Sequence, residues 1–244
     1  MATYQDTQTA QSYLEFLNSP NGQIQQEVLF KAIRSRLPGP GGIAILDAGC
    51  GPGWLTNKLK LEYDKVEGCD NSDYFIDFAK IRYPNIDFKL AEMDQVLPYQ
   101  KHSFDFVILN MVGPDLNHLT HTFMNLSNLL KPKGKLIMTI PNPGLTYPAA
   151  VWKKSWWDGL LGRKPKLKIQ SPPTPGIEIE REFGDTKIKS HYYVLADYAT
   201  KASKADLMLK ATVEIKSPTD SPEFDLNYQL YRYPLLLLLE FEKK

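Results

Sequence analysis

The sequence predicts an α/β fold, a doubly wound and mostly parallel sheet of seven strands with helices on both faces. Short apolar runs, typical of buried strands, alternate along the chain with stretches in which apolar residues recur at helical spacing. A glycine-rich loop at residues 47–53 joins the first of these strands to the next helix. Successive strand–helix units connect by right-handed crossovers, so their strands lie parallel in one Rossmann-like sheet.

Each element has its own signal. The first long helix is predicted over residues 23–37, where apolar residues recur at helical spacing before a breaker of proline and glycine at residues 38–42. Apolar or alternating runs predict strands at residues 43–46, 65–69, 86–90, 104–109, 135–140, 210–216 and 235–242. Helical periodicity predicts further helices at residues 54–61, 74–81, 119–130 and 194–209.

A long insertion follows the fifth strand. Residues 141–176 are rich in proline, lysine and tryptophan and have no regular period, which predicts an irregular excursion. Residues 177–183 and 186–193 alternate around Gly184-Asp185, as the two strands of a hairpin do. The chain is thus predicted to have four parts: an N-terminal helical cap at 1–42, a cofactor-binding core at 43–140, a lid and hairpin insertion at 141–190, and a C-terminal helix with the last strands at 191–244.

We expect the insertion to be a mobile lid over a substrate, because its prolines prevent long regular structure and its lysines favour solvent. This insertion contains three tryptophans that would suit a flat or apolar substrate, namely Trp152, Trp156 and Trp157. Tryptophans at this spacing also form one packed helix face. We interpret the local excess of basic residues as a means of keeping an exposed loop soluble.

Composition excludes several classes of protein. The 244 residues include 29 Lys and Arg against 28 Asp and Glu, a net charge of +1 that is too small for a typical nucleic-acid binder. Two cysteines are not a disulfide framework, and the polar N-terminus lacks the pattern of a signal peptide. The longest apolar run, residues 235–239, is far too short for a membrane helix. We therefore expect a cytoplasmic protein with no nucleic-acid or membrane partner.

The glycine loop is the main candidate site. Gly49, Gly51 and Gly53 follow Asp47 at the carboxyl end of the first strand, where doubly wound sheets bind ligands. A tight turn between strand and helix would use the same glycines. The dinucleotide fingerprint requires a small third residue where Trp54 stands, which disfavours a NAD site.

A second site signal lies at the end of the second strand. Asp70 stands where an acid accepts hydrogen bonds from both ribose hydroxyls of a bound nucleoside. The same aspartate could also cap the following helix, a role compatible with ligand binding.

These motifs resemble those of class I methyltransferases that use S-adenosylmethionine (AdoMet), and more narrowly the small-molecule enzymes of ubiquinone and menaquinone biosynthesis. The segment Ile45-Leu46-Asp47-Ala48-Gly49-Cys50-Gly51-Pro52-Gly53 resembles the first family motif. Four later segments resemble, in order, the ribose strand end, the adenine loop, the fourth strand and the turn before the fifth strand: Gly68-Cys69-Asp70-Asn71-Ser72, Glu92-Met93-Asp94, Ser103-Phe104-Asp105 and Leu129-Leu130-Lys131-Pro132-Lys133-Gly134. In the last of these Lys133 replaces the usual glycine.

The resemblance implies AdoMet as cofactor, S-adenosylhomocysteine (AdoHcy) as product, and a set of cofactor contacts. The methionine moiety is expected on the loop glycines, the ribose on Asp70, and the adenine on Glu92 and the Met93 backbone. Tyr13 is expected to close over the cofactor, or else to be a packing aromatic. The complete implied set is Tyr13, Asp47, Gly49, Cys50, Gly51, Gly53, Asp70, Asn71, Glu92, Met93, Asn110 and Met111.

The implied function is in-line methyl transfer to an unidentified small molecule, for which no nucleophilic side chain and no metal is expected. If the acceptor must lose a proton, the candidate bases are His118, His191 and Tyr192, with His121 and Tyr193 nearby. Two alternatives remain, a non-catalytic binding or regulatory protein with the same fold and, less favoured, a NAD(P)-dependent oxidoreductase. The acceptor and the oligomeric state stay open.

Overall fold

One large sheet organises the residues that the computed structural model describes, 4–183 and 186–244. The strands are, in chain order, β1 (Ala44–Ala48), β2 (Lys65–Asp70), β3 (Asp87–Leu90), β4 (Phe104–Asn110), β5 (Leu130–Pro141), β6 (Ala150–Lys153), β7 (Lys166–Ile169), β8 (Ile177–Phe183), β9 (Thr186–Tyr192), β10 (Leu207–Ile215) and β11 (Leu236–Lys243). The helices are α1 (Thr7–Asn18), α2 (Pro20–Arg34), α3 (Trp54–Lys60), α4 (Asp73–Arg82), α5 (Leu119–Leu129), α6 (Trp156–Leu160), α7 (Leu195–Ser203) and α8 (Leu226–Arg232), with a 3₁₀ turn at Gly113–Asp115.

The large sheet has seven strands in the order β10-β11-β5-β4-β1-β2-β3. The neighbouring pairs among β1 to β5 are parallel, and β11 pairs antiparallel with both β5 and β10. The predicted fold class is therefore confirmed. Because β1 lies between β2 and β4, the chain departs from it to one side and later returns on the other. This reversal opens a crevice at the carboxyl ends of these strands.

Helices cover both faces of the sheet because its central strands carry buried apolar side chains on both faces. In β1, Leu46 packs in one cluster with Phe123 of α5, while the adjacent Ile45 packs in another with Leu29 of α2. Leu46 and Ile45 are completely buried. Burial of each such side chain contributes about 1.5–3 kcal/mol, so the alternation along one strand stabilises both layers.

Two helix ends near the N-terminus have clear local causes. Asp6 caps α1 by accepting a hydrogen bond from the Thr9 N–H, and Ser19 caps α2 in the same way from the Gly22 N–H. With Pro20 at its first position, α2 begins three residues before the predicted helix at 23–37. The cap and the proline thus decide where this helix starts.

The predicted helix at residues 194–209 is wrong in its second half. α7 ends at Ser203, and β10 begins at Leu207. The chain reverses at Asp206, which has φ of 57°, and neither glycine nor proline stands there to indicate the turn. The helix α8 was not predicted either.

The insertion after β5 is more regular than expected. β6 and β7 form an antiparallel pair, so the predicted irregular excursion over residues 141–176 is wrong for these strands. The hairpin prediction is confirmed by β8 and β9, although its turn at Gly184-Asp185 lies outside the described residues. Within the described part of the chain, no helix has the length and apolar character needed to cross a membrane.

Candidate active site

A cavity of about 720 Å³ opens at the carboxyl ends of β1 to β4, within the range of about 300–1,000 Å³ typical of small-molecule sites. Eight of the twelve residues for which the sequence predicts cofactor contacts line it: Tyr13, Gly49, Gly51, Asp70, Asn71, Glu92, Met93 and Met111. The other four, Asp47, Cys50, Gly53 and Asn110, are not part of its lining. The structure thus brings together loops from four strands and the first helix.

The glycine loop has a backbone that side chains would disturb. Gly49, Gly51 and Gly53 have φ of 74°, 51° and 83°. A Cβ on Gly49 would come within 2.5 Å of Cγ2 of Val112, and one on Gly53 within 2.8 Å of the Phe88 ring. Gly53 therefore permits helix α3 to start close to the sheet, whereas Gly49 and Gly51 leave the loop backbone open to the cavity.

Asp70 joins the end of β2 to the glycine loop. Its Oδ2 accepts a hydrogen bond from the Gly51 N–H at 2.8 Å, and its Oδ1 accepts one from the Ser72 N–H at 2.9 Å. Burial raises the pKa of this carboxyl, while both hydrogen bonds act to lower it. A carboxylate has about four acceptor sites on its two oxygens, so Asp70 retains acceptor capacity for a ligand in the cavity.

Asn71 and Glu92 connect the ends of β2 and β3 at another part of the cavity wall. The Asn71 Nδ2 donates to Oε1 of Glu92 at 3.1 Å. The carbonyl of Met93 accepts from Nδ2 of Asn125 at 3.1 Å, which fixes the loop after β3 against α5. These contacts leave a wall of amide and carboxylate groups beside the Met93 side chain.

β4 ends at Asn110, which contacts β5, and the next residue, Met111, lines the cavity. Met111 lines the cavity with φ of 64°, a left-handed conformation that is rare for such a residue, and its N–H donates to Oγ1 of Thr139 at 3.1 Å. The same hydroxyl donates to Oδ1 of Asn110 at 2.7 Å, so Asn110 is committed to β5. Met111 reaches the cavity because the backbone turns sharply there.

Asp47 lies buried beneath the glycine loop. Its Oδ2 accepts from the Thr56 hydroxyl at 2.6 Å, and its Oδ1 has no hydrogen-bond partner among the described residues. Burial raises the pKa of Asp47 to about 7, against the lowering effect of Thr56. The charge of this buried side chain, two residues before Gly49, would be stabilised by a cationic ligand at the loop.

The hairpin of β8 and β9, part of the insertion that was expected to lie over a substrate, forms another wall of the cavity. Arg181 of β8 donates through Nη2 to Oδ1 of Asp115, in the 3₁₀ turn after β4, at 2.9 Å. Ser190 of β9 donates to the same oxygen at 2.9 Å. Asp115 and Arg181 both line the cavity. A turn directly after β4 was a signal for Asp115, but nothing in the hairpin sequence predicts its docking there.

None of the candidate bases lines the cavity. His118 begins α5 with 62% of its side chain exposed, 4.0 Å from Asp94. The His191 ring stacks on Tyr193 with centroids 5.4 Å apart, and the buried Tyr192 donates its hydroxyl to the Pro143 carbonyl. His191 and Tyr192 thus contact neighbouring segments of the chain, and the role of a base for these side chains stays a prediction.

Residues 141–176 of the expected lid do not line the cavity in this structure, and their role as a mobile lid stays a prediction. Trp152 instead packs edge-on against Phe224 and Tyr233, with ring centroids 5.1 and 5.5 Å apart. Trp156 is 72% exposed, and the Trp157 side chain lies outside what is described. Aromatic burial against the segment around α8 draws this part of the insertion away from the cavity; within the insertion, the hairpin alone supplies lining residues from the described chain.

The strand order and the loop site first define a class of protein. A parallel sheet with one reversed strand, β11, and a glycine loop after β1 is the architecture of class I AdoMet-dependent methyltransferases. The solved structure of an S-adenosylmethionine-dependent methyltransferase from Mesorhizobium loti has the same fold. It superposes with a TM-score of 0.70 at 21% identity, covering 88% of this chain and 98% of that one.

The sequence then gives the family. A family model described as a methyltransferase domain matches residues 46–138, which contain the glycine loop, Asp70 and Glu92. This part of the chain is therefore similar to the methyltransferase domains of AdoMet-dependent enzymes, whose cofactor is AdoMet. The predicted resemblance, fold and cofactor are thereby confirmed.

Two curated relatives align with the chain over part of their length. Malonyl-[acyl-carrier protein] O-methyltransferase of Hahella chejuensis is 35% identical over 97 residues, which are 38% of this chain and 34% of that protein. The mitochondrial ubiquinone biosynthesis O-methyltransferase of Mus musculus is 27% identical over 138 residues, which are 53% of this chain and 37% of that protein. The chain thus spans about a third of each of these relatives.

The residues present fit AdoMet. The free acceptor sites of Asp70 suit ribose hydroxyls, and the open backbone at Gly49 and Gly51 admits close approach of a ligand. The unmet acceptor of Asp47 suits the positive charge of the methionine moiety. No feature of this cradle requires a pyrophosphate, which agrees with the argument from Trp54 against a dinucleotide.

Proposed function

We propose that this chain is an enzyme that transfers a methyl group from AdoMet to a small-molecule acceptor by in-line substitution. The observation that carries the proposal is the juxtaposition, in one cavity, of the glycine loop with Asp70 on one side and the hairpin residue Arg181 on the other. Such a cavity has a wall for the cofactor and a separate wall, from a different part of the chain, for a second molecule.

The bound cofactor supplies a methyl group already activated by its sulfonium. The chain's own contribution is position: Asp70 accepts hydrogen bonds from the ribose, and Asn71, Glu92 and Met93 form the wall for the adenine. Alignment of two reactants in this way lowers the barrier by up to about 7–11 kcal/mol when the geometry is near attack. The site therefore needs no nucleophilic side chain of its own.

The hairpin excludes water from the other side. Ion pairing between Arg181 and Asp115 holds β8 over the turn after β4, and the buried Ile188 of β9 adds an apolar surface to the lining. Removal of water strengthens every charge interaction in the cavity and keeps the methyl group from solvent.

The test is to incubate the protein with AdoMet labelled on its methyl group and a panel of small acceptors, and to measure both AdoHcy and the labelled product. We expect stoichiometric formation of the two with at least one acceptor. Tight AdoMet binding without any turnover across the panel would favour the non-catalytic alternative instead. The same panel with Asp70→Ala should show reduced turnover, and with the exposed α4 variant Asp77→Ala it should not.

We further propose that the chain acts in the cytoplasm. Cys50 and Cys69 are both free and buried, and burial raises the pKa of the Cys69 thiol to about 12, so the thiols are poorly reactive. Alkylation under denaturing conditions, immediately after the cells are lysed, should find both thiols reduced. A disulfide between them would contradict this proposal.

A further inference from the structure

The hairpin end of the cavity, lined by Asp115, Leu116, Arg181 and Ile188, contains a carboxylate held from one side only. Oδ1 of Asp115 accepts from Arg181 and from Ser190, and the Arg181 Nε also donates to the Ser190 hydroxyl at 2.8 Å. Both hydrogen bonds therefore converge on Oδ1. No hydrogen bond from any described residue reaches Oδ2, although the side chain is only 21% exposed.

The charges around the cavity disfavour an anionic acceptor. Among the described lining residues five are carboxylates, and two are basic, namely Arg181 and Lys189. Each basic side chain is already in an ion pair, Arg181 with Asp115 and Lys189 with Glu178. An acceptor carboxylate would therefore enter a field of like charge and find no uncommitted cation within the described lining.

The rest of the hairpin end suits a partly apolar molecule. Leu116 follows Asp115 directly, and Ile188 lies opposite Arg181 in the β8–β9 register. An acceptor body can pack against these two side chains while its polar group meets Oδ2. Because a carboxylate has only acceptor sites, the group that meets it must carry a hydrogen, as a hydroxyl or an amine does.

We propose that Oδ2 of Asp115 binds the O–H or N–H nucleophile of a neutral, partly apolar acceptor, so that the enzyme methylates phenols, alcohols or amines rather than carboxylates. The proposal rests on the proposed function. In the transfer step a nucleophile lone pair forms the bond to the methyl carbon, and the S–CH₃ bond breaks with its electron pair on sulfur. The proton of the nucleophile passes to Asp115 and then to water. Arg181 and Ser190 are positioning residues that aim Oδ2.

This specificity differs from that of the Hahella chejuensis relative, whose name specifies a malonyl group, an anion at neutral pH. Burial raises the pKa of Asp115. This rise favours the proposed role, because a more basic carboxylate is a better proton acceptor. Arg181 and Ser190 act against this rise.

The test uses three probes of similar size with the protein saturated with AdoHcy: catechol, its dimethyl ether, and benzoate. Calorimetry should show catechol binding at least about tenfold more tightly than either of the others, because only catechol can donate to a carboxylate. Asp115→Asn, which keeps an acceptor for Arg181 and Ser190 but turns an amide toward the cavity, should lose that preference. Asp77→Asn, on the exposed face of α4, should keep it.

Equal binding of catechol and its ether, preference for benzoate, absence of binding by all three, or an unchanged preference in Asp115→Asn would each overturn the inference. If that variant does not fold, the wild-type series decides alone. Methyl transfer to catechol should fall about 10²–10⁴-fold in Asp115→Asn, and wild-type protein that binds catechol without methylating it would overturn the proton-acceptor role. Failure to bind AdoHcy would instead reject the proposed function itself.

Discussion

The backbone N–H of Gly51 donates a 2.8 Å hydrogen bond to Oδ2 of Asp70, so the glycine loop after β1 and the acid that ends β2 form one unit. Neither residue is merely a ligand contact. The loop takes its shape partly from the carboxylate, and the carboxylate is oriented partly by the loop. Cofactor affinity and local stability are therefore coupled at this point.

Replacement of Asp70 by Ala should weaken AdoMet binding by about 1–3 kcal/mol, because acceptors for the ribose hydroxyls are lost. It should also lower the free energy of unfolding by about 1–3 kcal/mol, since the Gly51 and Ser72 N–H groups lose their acceptor. Calorimetry and urea denaturation measure the two effects. Asp77→Ala is the matched control, and unchanged AdoMet affinity in a folded Asp70→Ala protein would argue against the ribose role.

Replacement of Asp47 by Asn should change how stability depends on pH. Burial raises the folded-state pKa of Asp47 to about 7, above its usual value near 4, so its contribution to stability is fully present below about pH 4 and is lost as the pH rises through 7. Asparagine cannot ionise. Without cofactor, the free energy of unfolding of the wild type should fall between pH 4 and pH 8, whereas that of the variant should not. The difference between the two proteins should therefore change by on the order of 2–4 kcal/mol in favour of the variant. Parallel denaturation curves at both pH values would contradict this.

Replacement of Lys133 by Gly should stabilise the fold. Lys133 has φ of 62° at the position where relatives usually have glycine, and a left-handed conformation costs an ordinary residue about 1–2 kcal/mol. Glycine also increases the entropy of the unfolded chain, which offsets part of this gain. We therefore expect the free energy of unfolding, measured by thermal denaturation, to rise by about 0.5–1 kcal/mol. Lys101→Gly, in an exposed turn without positive φ, should instead lose a similar amount. Destabilisation by both variants would show that Lys133 makes a compensating contact.

Replacement of Trp152 by Ala should destabilise the protein without altering catalysis. Its ring packs against Phe224 and Tyr233 and is only partly buried. The free energy of unfolding should therefore fall by about 1–3 kcal/mol, somewhat less than for a fully buried tryptophan. The KM for the acceptor should stay within about twofold, since Trp152 does not line the cavity. Trp156→Ala, at a 72% exposed site, is the control. A large rise in KM with unchanged stability would restore the lid hypothesis.

The core of the fold was predictable because the strands β1, β4, β5 and β11 contain runs of apolar residues that are typical of a buried sheet. Elements outside it were missed where a local signal was absent. The turn at Asp206 uses positive φ without glycine, and β6 and β7 are four residues each, too short for a period to emerge. Tertiary packing of Trp152 on Phe224, not local propensity, places that pair of strands.

The cofactor half of the site was predictable because it follows strand ends in chain order. Asp70 is the last residue of its strand, Gly49 and Glu92 follow theirs by one and two positions, and parallel strands bring these ends to one edge. The contact of Asp115 with Arg181 joins residues 66 positions apart, from a turn and a hairpin with no common motif. The histidine and tyrosine candidates do not line the cavity, because residue type alone does not say which side chains face it, and their catalytic role stays a prediction.

The central claim is that the cavity between the glycine loop and the hairpin is an AdoMet site. The most direct test is calorimetric titration of the purified protein with AdoMet and, side by side, with NADH. The account predicts one AdoMet bound per chain, weakened by Asp70→Ala but not by Asp77→Ala, and no measurable binding of NADH. Binding of NADH with none of AdoMet, or AdoMet binding unaffected by Asp70→Ala, would contradict it.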